Sequence, residues 1–187
     1  MLALAGAVRE GRVPDAEIAL VMSDHANAAG LSRAQELGLD TIAIERDGRS
    51  REDHDRAIVA ALQKNRIEIV CLAGYMRLLS RYFIDAYPDR ILNIHPSILP
   101  AFPGLDAHAQ VLEHGVKWTG CTVHFVDEMY DTGPIILQRV CPVLDDDTPQ
   151  TLAARLFEEE KIAYPEAIRL FQAGRLKVEG RRVRHLQ

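Results

Sequence analysis

Three side chains in this sequence are suited to one reaction centre: those of Asn93, His95 and Asp131. An amide N–H can stabilise a developing oxyanion, and an imidazole can hold or move a proton near neutral pH. Asn93 and His95 stand two apart in Arg90-Ile-Leu-Asn-Ile-His95, an apolar run that reads as a short buried strand. Side chains alternate along a strand, so both project the same way. Pro96 cannot donate to a sheet ladder and biases its predecessor away from helix, which ends the strand at His95. In open α/β sheets ligands bind at that carboxyl end. Taken alone, an Asn-x-His pair is better explained as edge residues capping a turn. Asp131, in Asp-Thr-Gly-Pro134 between two strand-like runs, alone fits an ordinary turn residue. A carboxylate brought against His95, however, favours the imidazolium and so an acid useful near neutral pH.

The elements that must position these groups alternate along the chain. A helix is predicted over 2–10, stopped by Gly11 and Pro14, and a buried strand over 17–23. A loop and helix follow to Leu37, where Gly38 supplies a cheap left-handed residue, and a second strand covers 41–44. Ser50-Arg-Glu-Asp53 is a helix start, with Ala57, Ile58, Ala61 and Leu62 as the apolar face. A strand over 67–73 runs into 74–80, an apolar loop with one cation, then a short helix over 81–86. Such a loop is costly to expose unless something covers it. A helix over 106–114 precedes two β-branched runs, 119–127 and 134–143, that suggest an antiparallel pair. Pro149 opens a last long helix that Pro165 kinks or divides, and 175–185 reads as a terminal hairpin. The expected fold is α/β: a mixed, mostly parallel twisted sheet with helices on both faces, in one domain spanning 1–187.

Composition narrows the function classes. With 48% hydrophobic and 26% charged residues, the chain fits a soluble globular protein. A net charge of −5 argues against non-specific nucleic-acid binding. Cys71, Cys121 and Cys141 lie on separate apolar segments without Cys-x-x-Cys spacing, so neither a disulfide framework nor a metal site is indicated. Free thiols suit a reducing, cytoplasmic location. The opening apolar run is too short for a signal peptide, and no window approaches a membrane span.

Several ordered motifs together are more specific than any one. Asn93-Ile-His-Pro-Ser-Ile-Leu-Pro100, Pro103-Gly104, Asp131-Thr-Gly-Pro-Ile-Ile-Leu-Gln138, Leu72-Ala-Gly-Tyr-Met-Arg-Leu-Leu-Ser80 and Tyr164-Pro165 resemble the signature of the folate-dependent formyltransferases, and within them the phosphoribosylglycinamide formyltransferases. That resemblance implies a Rossmann-like formyltransferase fold and formyl transfer from 10-formyltetrahydrofolate to the amine of glycinamide ribonucleotide in purine synthesis. It implies that Asn93 donates to the tetrahedral oxyanion, that His95 is proton donor and electrostatic stabiliser, and that Asp131 holds His95 protonated. Met76, Arg77, Leu78 and Leu79 match the family's folate loop, with Arg51 and 126–130 (Val126, Asp127, Glu128, Met129, Tyr130) as further folate contacts. Gly74, Pro96 and Glu160 match the substrate side, Glu160 at the ribose hydroxyls. No metal, nucleic acid or membrane partner is implied, and the protein is expected to be a monomer or homodimer.

Departures from the family set further expectations. The family begins with a strand and a Gly-rich phosphate loop, whereas this sequence starts inside the helix that follows, so weak ribonucleotide binding is expected. Asp106 stands where relatives often carry His, His108 is retained, and Phe157 occupies a substrate-facing position that is often polar. His124 reads as a packed strand histidine; His25, His54, His114 and His185 read as loop or helix-surface residues. The alternatives are formyltetrahydrofolate hydrolase, which passes the same group to water, and a folate-binding form impaired in turnover.

Overall fold

The computed structural model describes residues 1–186. Helix α1 (Leu2–Arg9) leads through an extended segment to β1 (Val21–Ser23), then α2 (Ala29–Glu36), β2 (Thr41–Ala43), α3 (Arg51–Lys64) and β3 (Val70–Leu72). There follow α4 (Arg81–Ala86), β4 (Ile91–His95), α5 (Ala107–Glu113), β5 (Trp118–Phe125), β6 (Ile135–Pro142), α6 (Pro149–Gln172), β7 (Leu176–Glu179) and β8 (Arg182–His185). The local signals act as their chemistry dictates. Ser50 Oγ accepts the Asp53 N–H at 3.1 Å and so caps α3, while Gly38 takes φ 75° just past α2.

The sheet is mixed but not mostly parallel. It divides into a two-stranded piece, β1-β2, and a six-stranded piece in the order β3-β4-β5-β6-β8-β7. Pairing is parallel in β1–β2, β3–β4 and at one position of β6–β8, whereas the longer ladders β4–β5, β5–β6 and β7–β8 are antiparallel. Only β7–β8 is joined by a tight turn; β5 and β6 are joined by the longer segment 126–134, and β4 and β5 run antiparallel across the connection that carries α5.

Between β1 and β3 no strand intervenes among the described residues. Segments 15–24 and 65–75 instead line an apolar slot of about 790 Å³. The slot leaves the facing edges of β1 and β3 without a strand partner among the described residues. It also explains why β1 and β3 begin at Val21 and Val70, later than 17 and 67: without a partner on this side, the upstream extended residues form no ladder.

Helices cover both faces. Adjacent β4 residues Ile91 and Leu92 enter different apolar clusters, Ile91 with α3 and α4, Leu92 with α1, α5 and α6. Helix α6 runs unbroken through Pro165, so the expected division does not occur. Proline removes the N–H that would bond the Lys161 carbonyl. Arg12 Nη1 donates to that carbonyl at 3.3 Å instead, and the Tyr164 hydroxyl reaches the carbonyls of Leu72 and Leu92 at 2.8 and 2.9 Å. The helix is thus fixed to the tips of β3 and β4. No helix among the described residues is long and apolar enough to cross a membrane.

Candidate active site

Register decides what meets Asn93. Strand β4 is flanked by β3 and β5, and Asn93 stands opposite Leu72 on one side and His124 on the other. Directly paired residues of neighbouring strands share a face. Asn93 Nδ2 accordingly lies 3.3 Å from His124 Nε2 and 3.5 Å from Asp131 Oδ1. His124 Nδ1 donates to the Phe125 carbonyl at 2.8 Å, leaving Nε2 as the acceptor that faces the amide. Past His95, the proline-rich segment is held from below. Thr122 Oγ1 donates to the Ser97 carbonyl at 2.7 Å and accepts the Leu99 N–H at 3.0 Å.

His95 is buried, with an acceptor at each nitrogen. Its Nε2 donates to the Phe102 carbonyl at 2.8 Å, and Nδ1 lies 3.3 Å from Asp131 Oδ2. The Nε2 proton is thereby committed to the Phe102 carbonyl, and Nδ1 faces the carboxylate. The expected role of proton donor to substrate is therefore narrowed, since neither nitrogen is free as the structure stands.

Asp131 reaches the cluster from the β5–β6 turn. It adopts φ 54°, a left-handed conformation that Asp tolerates, and Oδ2 accepts the Gly104 N–H at 2.8 Å. The turn is pressed against β5. A Cβ on Gly133 would sit 1.8 Å from the Phe125 carbonyl oxygen, so only glycine lets the backbone approach this closely. Thr132 Oγ1, at 2.8 Å from both Asp127 carboxylate oxygens, closes the turn on itself. Burial alone would raise the Asp131 carboxyl; the neighbouring His124 ring, the Gly104 N–H and the charge of His95 outweigh it and hold it below its ordinary value.

These groups open into a cavity of about 490 Å³, within the usual range of small-molecule sites. Asn93, His95, Asp131, Gly74, Met76, Arg77, Leu78, Leu79, Pro96, Val126, Asp127, Met129, Tyr130 and Glu160 all line it. Arg51 and Glu128 do not. Arg51 is exposed at the start of α3, and Glu128 turns outward to Arg81 Nη1 at 2.6 Å. Arg77 lines the cavity with its guanidinium paired to Asp24, Nε to Oδ2 2.9 Å. Asp106 and Phe157 also line the space.

The sequence reading missed one histidine here and left the role of another open. His124, taken as a packed strand residue, is the cross-strand partner of Asn93, and only the register reveals it. His108 lines the cavity half-buried; burial lowers its pKa, with the charge of His95 adding to the effect. Burial pushes the Glu160 carboxyl up to about 6, partly opposed by the Met1 ammonium. Cys71 lies outside the cavity, its thiol pushed up to about 12 by burial, and is inert as a nucleophile.

An amide, an imidazole and a carboxylate meet at one strand tip, and among the described residues no Ser, Thr, Cys or Lys lines the cavity. Such groups can stabilise a developing oxyanion and hold a proton at one centre. The chain belongs to the formyl transferase family, whose sequence model matches residues 2–168. It is 44% identical over 161 residues to phosphoribosylglycinamide formyltransferase of Escherichia coli, covering 84% of this chain and 75% of that protein. Against the crystal structure of glycinamide ribonucleotide transformylase 1 from Symbiobacterium toebii the TM-score is 0.96 at 53% identity, over 99% of this chain and 87% of that one. It is also 46% identical over 164 residues to the trifunctional purine biosynthetic protein adenosine-3 of Gallus gallus. There the match covers 87% of this chain but spans only 16% of the longer protein.

Proposed function

We propose that this protein transfers the formyl group of 10-formyltetrahydrofolate to the primary amine of glycinamide ribonucleotide in cytoplasmic purine synthesis. The observation that supports the reading is the convergence of Asn93, His95 and Asp131 on one cavity lined by no Ser, Thr, Cys or Lys among the described residues. The amine attacks the formyl carbon directly. Asn93 Nδ2, held only by contacts of 3.3 and 3.5 Å, turns one N–H to the oxyanion as it forms. His95 supplies positive charge beside it. Asp131, kept ionised, preserves that charge and takes up, through water, the proton lost by the attacking nitrogen; collapse of the tetrahedral intermediate then breaks the bond from the formyl carbon to N10, and that proton passes to N10 of the departing tetrahydrofolate.

In this reading the loop 74–80 and residues 126–130 enclose the pterin, and Glu160 binds the ribose hydroxyls. Arg51, outside the cavity, is left to the distal glutamate end of the folate. The experiment is to mix protein and 10-formyltetrahydrofolate with and without glycinamide ribonucleotide. Folate release that depends on the amine supports transfer. Release without the amine reassigns the chain as a hydrolase, and folate binding without turnover marks an impaired form.

A further inference from the structure

Two acidic side chains outside the cavity hold the loop that walls it. Asp55, on α3, is 1% exposed, and its Oδ2 accepts the Ser80 backbone N–H at 2.5 Å. Ser80 is also the N-cap of α4, its own Oγ accepting the Phe83 N–H at 3.4 Å. The carboxylate therefore fixes the point where the loop 74–80 becomes helix. It also faces the near end of the loop. The Tyr75 hydroxyl is pushed up to about 12, first by burial and then by the charges of Asp55 and Asp24. Asp24, just past β1, grips the middle, its Oδ2 2.9 Å from Arg77 Nε. Neither Asp24 nor Asp55 lines the cavity, whereas every residue of 74–79 does. Leu79 anchors one end of the loop in the α3–α4 core at 3% exposed, whereas Met76 in its middle is 68% exposed, so the polar ties set the shape of the part that packing leaves free.

We infer that Asp24 and Asp55 are positioning residues for the folate-facing loop, acting on folate affinity through Arg77 and the Ser80 N–H rather than on the transfer step. The inference rests on the reading of 74–80 as the pterin wall. A buried carboxylate that loses its donor geometry, or a donor left without its carboxylate, costs more than an ordinary hydrogen bond. Asp55→Ala should therefore raise the KM for 10-formyltetrahydrofolate about tenfold, with kcat at saturating folate and the KM for the amine substrate unchanged. Asp55→Asn, which keeps an acceptor oxygen but not the charge, should fall between wild type and Asp55→Ala. Asp24→Asn, an isosteric change outside the apolar clusters, should raise the folate KM about threefold and serves where an Asp55 variant fails to fold.

Binding is measured separately by calorimetry with 5-formyltetrahydrofolate, which keeps the pterin but carries its formyl group on another nitrogen. Wild-type binding with weakened variants and unchanged amine KM supports the inference. Wild-type binding matched by the variants, or a loss spread equally over both KM values and kcat, overturns it and leaves the carboxylates structural. Absence of binding by the wild type overturns the folate reading itself, and this inference with it.

Discussion

The two sides of β3 are built on opposite terms. On the β4 side every strand has a partner, and the register Asn93↔His124 and His95↔Thr122 sets the reacting groups to within hydrogen-bond distance of one another. On the β1 side the ladder stops. Val21 N–H bonds the Asp40 carbonyl and the Ser23 carbonyl accepts from Ile44, so alternation turns the amides of Leu20 and Met22 into the slot. By the same rule, Val70 bonding Arg90 leaves Ile69 and Cys71 facing it from the other wall. Precision at the chemical groups is thus a property of continuous pairing, and the loop 74–80, which leaves the end of β3, stands at the boundary between the two regimes.

The sharpest test of the paired side is Asp131→Asn. The amide keeps the shape of the carboxylate but not the charge that sustains the His95 imidazolium, so kcat should fall on the order of a thousandfold with folate binding preserved. A loss below tenfold would show that the cluster is not the reacting centre. Hydrogen exchange then compares the two sides directly. The amides of Leu20, Met22, Ile69 and Cys71 should exchange at least about a hundredfold faster than those of Val123 and His124. Equal protection would mean that the slot is closed in solution. A smaller effect is expected at His124. His124→Phe keeps an aromatic ring in the strand but removes the acceptor for Asn93 Nδ2, and should lower kcat about tenfold with the melting temperature nearly unchanged. If stability drops and kcat does not, the imidazole is packing alone.

That contrast also separates what the sequence made legible from what it did not. The Asn93/His95 pair was readable because alternation and Pro96 are local facts, and neither requires knowledge of a neighbour. Asp131 was readable as a turn, and the resemblance named its partner. His124 was not readable, because its role depends on which β5 residue lies across from Asn93, a register that no local pattern specifies. The division of the sheet was foreseen only as an absent strand. The excess of antiparallel pairing was hidden because the chain alternates strand and helix through β4, and only the two long hairpin strands shift the balance. The uninterrupted α6 turned on Arg12, a distant residue that caps the carbonyl Pro165 sets free.

The smallest effect concerns the far end of the cavity, where pH should act on substrate binding and leave the reacting cluster alone. Burial raises the Glu160 carboxyl to about 6, so the anion that accepts from ribose hydroxyls is present above that pH and lost as pH falls through it. Asp131 is shifted the other way and stays ionised over the same range. Between pH 7 and pH 5 the KM for glycinamide ribonucleotide should therefore rise severalfold, with the folate KM flat, and Glu160→Gln should remove the dependence. The sign is fixed by the direction of the shift. A carboxyl raised on folding binds its proton more tightly in the native state, so acidification through pH 6 favours the fold even as it weakens substrate binding. Weaker binding accompanied by a falling melting temperature in that window would assign the titration to another group.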